Sequence, residues 1–319
     1  MRNVAVEFTA RGEMGFADLG PPPEVGPTQV LLETLWSGIT NGTERHALMC
    51  DHGYGGAQFP SRHGYQHVCR VAAAGELVTA LRVGETVFLG DYVGHVGWHV
   101  REAVSGLPLL VKLPDDVNHQ DCALLGVAGV AMRAIRRTRV SAGQRVLVVG
   151  VGPIGIFAAQ CARAVGAHVT VAEMVDMRLQ AAVATGAHKV VDMRGEGAWQ
   201  EVEAGRPYDV IFDGAGYERF FLDVFHHGLL AHGGAIAAIS VRGETLFPWS
   251  MLHMTEASIE VSCHFSASEL ECLLHLIRTG VVQVGPMVSH RVSIEEAPGI
   301  YATMRDDPRA LYGVILDWR

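Results

Sequence analysis

The run Gly150-Val151-Gly152-Pro153-Ile154-Gly155 is a G-x-G-x-x-G turn, and an acid, Glu173, closes the strand-like run that follows it. Together these are the parts of a dinucleotide seat. Gly150 makes a tight turn, Gly152 lets a pyrophosphate approach the backbone, and Gly155 lets a helix pack closely on the preceding strand. A helix opening at Pro153-Ile154 points free N–H groups and the positive end of its dipole at the phosphates. Glu173 can accept hydrogen bonds from the ribose 2′- and 3′-hydroxyls, and it repels a 2′-phosphate. No base stands in Met174-Val175-Asp176-Met177, and Arg178, counted with the cofactor set, comes only inside the next helix. NAD is therefore expected rather than NADP. Glu173 could also cap the following helix. A nicotinamide cofactor would carry the hydride chemistry, leaving placement and charge stabilisation to the protein.

The elements around this seat give it context, without which a G-x-G-x-x-G run is a weak signal. Arg145–Gly150 is a short Val-rich run that reads as a buried parallel strand, followed by an apolar helical pattern to about Gly166 and a second strand over His168–Ala172. Further strands are expected at Lys189–Val191, Asp209–Phe212, Gly234–Ile239 and Ile259–Cys263. Helices are expected at Met177–Ala187, Arg219–Leu230 and Ala267–Gly280. Alternation of this kind predicts an α/β, doubly wound parallel sheet. Residues 1–115 read instead as all-β, an antiparallel barrel or sandwich, with runs at Val4–Phe8, Gln29–Ser37, Val68–Ala74, Thr86–Leu89 and Leu109–Lys112. After Gly280 come a strand (Val288–Val292), a helix (Glu295–Met304) and a β-prone end (Leu311–Trp318), expected to rejoin the first domain. The expected domains are thus 1–117 with 281–319, and 118–280.

Composition excludes several classes. The chain has 319 residues, 49% of them hydrophobic, and a net charge of −9, which argues against nucleic acid and anionic membranes as partners. No uninterrupted apolar stretch is long enough for a membrane span, and the first residues carry no export signal. Six scattered cysteines with no C-x-x-C fit a reduced, cytoplasmic setting. Lysine occurs only at Lys112 and Lys189, neither in a motif suited to Schiff-base chemistry.

A β-rich start, a nucleotide domain and a returning tail together resemble the medium-chain dehydrogenase/reductase superfamily. VLVVGVGPIG, the acid at 173, Asp213-Gly214-Ala215-Gly216 and Val83–Asp91 carry the resemblance most specifically. It implies a GroES-like β-barrel catalytic domain beside a Rossmann domain, and it adds Gly214 and Gly216 to the cofactor set.

Zinc members of that superfamily carry Cys-Gly-Thr-Asp-x-His, and the text here is Asn41-Gly42-Thr43-Glu44-Arg45-His46. Their Gly-His-Glu reads Gly64-Tyr65-Gln66, and the later ligand falls where only Gly126 is on offer. No cysteine lies between Asp91 and Lys112 to hold a structural zinc. No metal is expected. His63-x-x-x-His67, with Cys50 and His52 near by, could rebuild a site only if it were helical, and it sits instead at a Gly-containing turn entering a strand.

What survives of the motif implies roles. Thr43 and His46 match the proton relay of the family, or else are a turn residue and a helix-surface histidine. Tyr65 could replace the metal as donor to a developing alkoxide, or simply fill the vacated volume. Glu44 and Gln66 would orient Tyr65 or bind substrate hydroxyls, and Asn41 would join them in substrate binding.

Trp36-Ser37-Gly38-Ile39-Thr40-Asn41-Gly42-Thr43-Glu44, Gly64-Tyr65 and the ending with Asp307-Pro308 and Ile315-Leu316-Asp317-Trp318 are similar to the zinc-free bacteriochlorophyllide a dehydrogenases. The chain departs from them at Asn41 and Gln66, and its polar 46–67 segment suits a sugar, cyclitol or nucleoside better than a flat macrocycle. The expected activity is NAD-dependent, zinc-independent oxidation of a secondary alcohol to a ketone. Three alternatives remain: a bacteriochlorophyllide-type dehydrogenase, an NADPH-dependent quinone or enoyl reductase, and a non-catalytic NAD(H) sensor. A homodimer is expected, paired through the edge strand at Ile259–Cys263.

Overall fold

A computed structural model describes residues 3–51, 58–104 and 109–319. The chain divides into two compact units, one of Met1–Gly126, Ser266–Leu274 and Val288–Arg319, the other of Val127–Phe265 and His275–Met287.

The first unit opens with an antiparallel pair, β1 (Val4–Ala10) and β2 (Glu13–Asp18). Next come β3 (Gln29–Ile39), helix α1 (Asn41–Met49), β4 (His67–Ala74), β5 (Thr86–Leu89), β6 (Trp98–Glu102) and β7 (Leu110–Lys112). Buried and half-buried residues alternate along the start of β3, the period-2 pattern of a sheet with one face on the core. Val30, Leu32, Cys69, Val71, Val87 and Leu89 form that core.

The second unit holds most of α2 (Leu125–Arg137), then β8 (Arg145–Val149), α3 (Pro153–Ala164), β9 (His168–Glu173), α4 (Asp176–Ala184), β10 (Lys189–Asp192), α5 (Ala198–Glu203) and β11 (Tyr208–Asp213). It continues through α6 (Phe220–His226), β12 (Leu230–Ala238), α7 (Trp249–Thr255) and β13 (Ser258–Val261). The six strands lie in the order β10-β9-β8-β11-β12-β13, all parallel. This is the doubly wound sheet that the alternating text predicts, with β13 at its edge. Leu147, Ile211, Phe220, Val224 and Ile236 fill one of its cores.

After α8 (Ala267–Arg278) the chain adds β14 (Val288–Ser293), α9 (Ala297–Asp306) and β15 (Gly313–Asp317). β15 pairs antiparallel with β3, and β14 pairs parallel with β15, so the seven-stranded sheet is mixed rather than antiparallel throughout. α9 packs Ile300, Tyr301 and Met304 into a core with Phe8, Leu48 and Trp318.

One expectation needs correction. Residues 1–115 are not all-β, because Asn41–Met49 form a helix, ended by Cys50 in the left-handed conformation. The first stretch of the first unit runs to Gly126. The short 3-10 turn Asp121–Leu124 lies against β3, where a Cβ on Gly38 would stand 2.0 Å from the Ala123 carbonyl oxygen. Asp121 also pairs with Arg291 of β14 at 2.5 Å.

Candidate active site

The second unit builds the cofactor seat. Gly150 leaves β8 with φ of +80°. A Cβ on Gly155 would stand 2.1 Å from the Gly150 carbonyl oxygen, and one on Gly214 would stand 2.3 Å from the same atom. Direct backbone approach therefore demands glycine at both positions. Around Gly152 nothing lies within 4 Å of a built Cβ, which leaves space for a phosphate. Pro153, the first residue of α3, has no N–H, so the unbonded donors at the helix start are Ile154 and Gly155. Asp213 accepts from the Gly216 amide at 2.9 Å and pairs with Arg242, holding the 213–216 turn beside the glycine loop.

Glu173 ends β9 only 5% exposed. Its Oε2 accepts from the Val151 amide at 2.9 Å, and Oε1 accepts from Met174 and Val175 at 2.7 and 3.0 Å. The carboxylate thus braces the glycine loop from the neighbouring strand, a task that its place in the sequence does not disclose. Arg178 is closer than the linear text implies. The first turn of α4 brings its Nη1 to 3.9 Å from Glu173 Oε2.

The residues proposed for chemistry on the alcohol lie in the first unit, on α1 and at the turn into β4. Thr43 and His46 are three residues apart on α1, so they share a helix face. His46 is 32% exposed, and its Nδ1 lies 2.5 Å from Asp51 Oδ1. Slight burial raises the Asp51 carboxyl, but His46 and Arg45 together hold it below its usual value. Tyr65 is 3% exposed, its ring 4.9 Å from that of Tyr92. A Cβ on Gly126 would meet Tyr65 Cε2 and Gln66 Oε1, each at 2.8 Å. Gln66 is fully buried, its Nε2 donating to Thr40 Oγ1 at 3.2 Å, and Asn41 Nδ2 donates to the Tyr312 carbonyl at 2.7 Å.

Glu44 departs from its expected role. It turns inward, 1% exposed, and both oxygens are taken by protein donors. Oε1 accepts from the Thr40 amide at 2.7 Å, while Oε2 accepts from Tyr301 at 2.5 Å and lies 3.1 Å from His95 Nε2. These three contacts are to protein groups other than Tyr65, and they hold the carboxylate inside the unit. Neither His95 nor Tyr301 figures in the sequence reading, since each is a lone residue outside any spaced motif.

The other described histidines have these surroundings. His63 Nε2 lies 3.1 Å from Ser61 Oγ, with its ring stacked on Phe8. His67 is buried at the start of β4, with ring centroids 5.0 Å from His99 and 5.6 Å from His95. Cys50 caps α1, and His52 lies outside the described residues. Among the described residues no three His, Cys, Asp or Glu side chains are grouped to hold a metal ion.

Residues 153–279 match the family model for zinc-binding dehydrogenases. The L-threonine 3-dehydrogenase of Chromobacterium violaceum is 25% identical over 94% of this chain and 95% of its own. The 2R,3R-butanediol dehydrogenase of Bacillus subtilis superposes with a TM-score of 0.85 at 18% identity, covering 99% of this chain and all of that one. A dehydrogenase structure from Sinorhizobium meliloti, bound to NADP, superposes at 0.82 with 19% identity over the whole of both chains. The chain has the fold of the medium-chain alcohol dehydrogenases.

Zinc, which the matched family description implies, requires several deprotonated N, S or O donors converging on one point. The positions where the resemblance would place zinc ligands hold an amide (Asn41), a phenol (Tyr65) and no side chain at all (Gly126). Tyr65 and Gln66 fill the space beside Gly126. This donor set does not fit zinc.

Proposed function

We propose that this protein is a secondary-alcohol dehydrogenase that uses a nicotinamide cofactor, NAD by preference, and works without a metal. The packing of Tyr65 and Gln66 against Gly126 carries the reading, because it leaves a phenol where the superfamily places a ligand. The names of the relatives support the substrate class, since L-threonine 3-dehydrogenase and butanediol dehydrogenase are enzymes named for secondary alcohols.

When bound, the nicotinamide supplies the hydride acceptor. The chain's own residues manage the proton and the charge. Tyr65 donates a hydrogen bond to the oxygen as negative charge develops on it. The Thr43 hydroxyl would accept the alcohol proton while giving up its own through the ribose hydroxyls to His46, which, part-exposed and paired with Asp51, passes a proton to solvent. The net reaction would take the alcohol to a ketone, with the hydride going to the bound nicotinamide and one proton to solvent. The reading includes a cytosolic homodimer joined through the β13 edges.

The test is a panel of polyols, sugars, nucleosides and amino alcohols, assayed by NADH absorbance. Turnover of at least one secondary alcohol is expected. Tight NADH binding with no turnover across the panel would favour a sensor instead.

A further inference from the structure

We propose that Glu44, His95 and Tyr301 form a positioning device that ties α1 to the Gly64–Tyr65 turn and so sets where Thr43 and Tyr65 stand. The inference rests on the dehydrogenase reading above for its catalytic consequence, but not for the link itself.

One end of the device is α1. Glu44 lies in its first turn, and its carboxylate accepts the Thr40 amide that precedes the helix. The other end is the turn. The amides of Val93 and Gly94 donate to the Gly64 carbonyl at 3.2 and 3.0 Å, and that of His95 donates to the His63 carbonyl at 3.0 Å. Gly64 has φ of +125°, and a Cβ there would come within 2.9 Å of the His95 ring. The turn is therefore moulded onto His95, whose Nε2 reaches Glu44. Tyr301 adds α9 as a third support, donating to the same Glu44 oxygen as His95.

The protons close without a remainder. With the His95 proton on Nε2, directed at Glu44, Nδ1 accepts from the Ser37 hydroxyl at 2.8 Å. Ser37 Oγ in turn accepts from Trp318 Nε1 at 2.9 Å. Burial raises the Glu44 carboxyl, but His95, Tyr301 and the Thr40 amide together draw it below the ordinary value. Burial and the Glu44 charge push the Tyr301 hydroxyl well above its usual range, so it stays a donor. A buried carboxylate is tolerated only when fully paired, so the three residues hold one another in a single geometry.

Hydrogen exchange and steady-state kinetics on the full-length Glu44→Gln and Tyr301→Phe variants test this. In Glu44→Gln, amides of 41–49 and 61–66 should exchange about tenfold faster while those of α3 are unchanged. Its kcat should fall about tenfold to a hundredfold, with NADH affinity held within about twofold. Tyr301→Phe keeps the ring and the Glu44–His95 contact, so it should move both readouts less and in the same direction. It also carries the test should Glu44→Gln fail to fold. Unchanged exchange in both segments would overturn the link. Faster exchange with unchanged kcat per folded molecule would overturn the positioning of catalysis and leave a merely structural contact. Faster exchange in a protein whose native form oxidises no alcohol would uphold the link and sink the dehydrogenase reading instead.

Discussion

Arg178 Nη1 stands 3.9 Å from Glu173 Oε2, so the acid that would bind the ribose hydroxyls already has a cation beside it. Glu173 disfavours a 2′-phosphate, whereas the adjacent guanidinium would welcome one. The carboxylate, fixed by three backbone amides, is the better-placed group, so NADH should bind more tightly than NADPH. Glu173→Ala should narrow that preference by about tenfold or more, equivalent to roughly 1.4 kcal/mol. Fluorescence titration with both reduced cofactors measures this. Tighter NADPH binding by the unaltered protein would remove the role given to Glu173.

Tyr65→Phe keeps the ring that packs on Gly126 and removes only the hydroxyl. It should fold and bind NADH normally while kcat drops by about 10²–10³, the usual loss for one oxyanion donor. His46→Ala should cost less, because water can replace the outer end of a proton path. Combined, the two should cost less than their sum, since groups in one path fail together. Near-native turnover by Tyr65→Phe would reduce Tyr65 to a filler of volume.

Elemental analysis of the purified protein should find no stoichiometric zinc, and chelators should leave activity intact. The donor set at Asn41, Tyr65 and Gly126 is the reason. About one zinc per chain would instead direct attention to His46, Cys50, His63 and His67.

Acid should destabilise the fold earlier than carboxylate protonation alone explains. Burial, reinforced by Arg101 and His95, pushes the His99 imidazole down to about 3, and burial beside His99 and His95 puts His67 well below its usual value. An unfolded histidine takes up a proton near pH 6.5 that the native core refuses. Stability is therefore whole above that pH and falls as pH drops through the window toward 3. The slope is up to about 1.4 kcal/mol per pH unit for each histidine. Glu44, lowered in the fold, adds a loss only below its unfolded value of 4.5. Thermal midpoints between pH 8 and pH 4.5 should decline from about pH 6.5, less steeply in His99→Gln. A curve flat to pH 5 would contradict the assignment.

β13 ends the six-stranded sheet, with no strand on its outer side among the described residues, and Val261 on it is 64% exposed. Light scattering at micromolar concentration should give the mass of a dimer. A monomer would remove the pairing through this edge.

The α/β class was legible because its signals are local. G-x-G-x-x-G, the Val-rich run before it and the acid after the next strand lie within one strand–helix–strand unit. There the order of residues along the chain is also their order in space. Thr43, His46 and Tyr65 were picked out by the resemblance of the linear text to a motif, while the helix that carries the first two was read as part of an all-β stretch.

What a side chain spends its lone pairs on was not legible. Glu44 meets His95 and Tyr301, which lie 51 and 257 residues away, and no spacing rule links such partners. Arg178 approaches Glu173 only because α4 turns it back, and Tyr65 fills the space beside Gly126 only because the 121–126 segment folds onto the first unit. The sequence by itself determined which chemical groups exist and which local elements carry them. Tertiary packing decided their commitments, because a buried polar atom must find its partner wherever the fold brings one within reach.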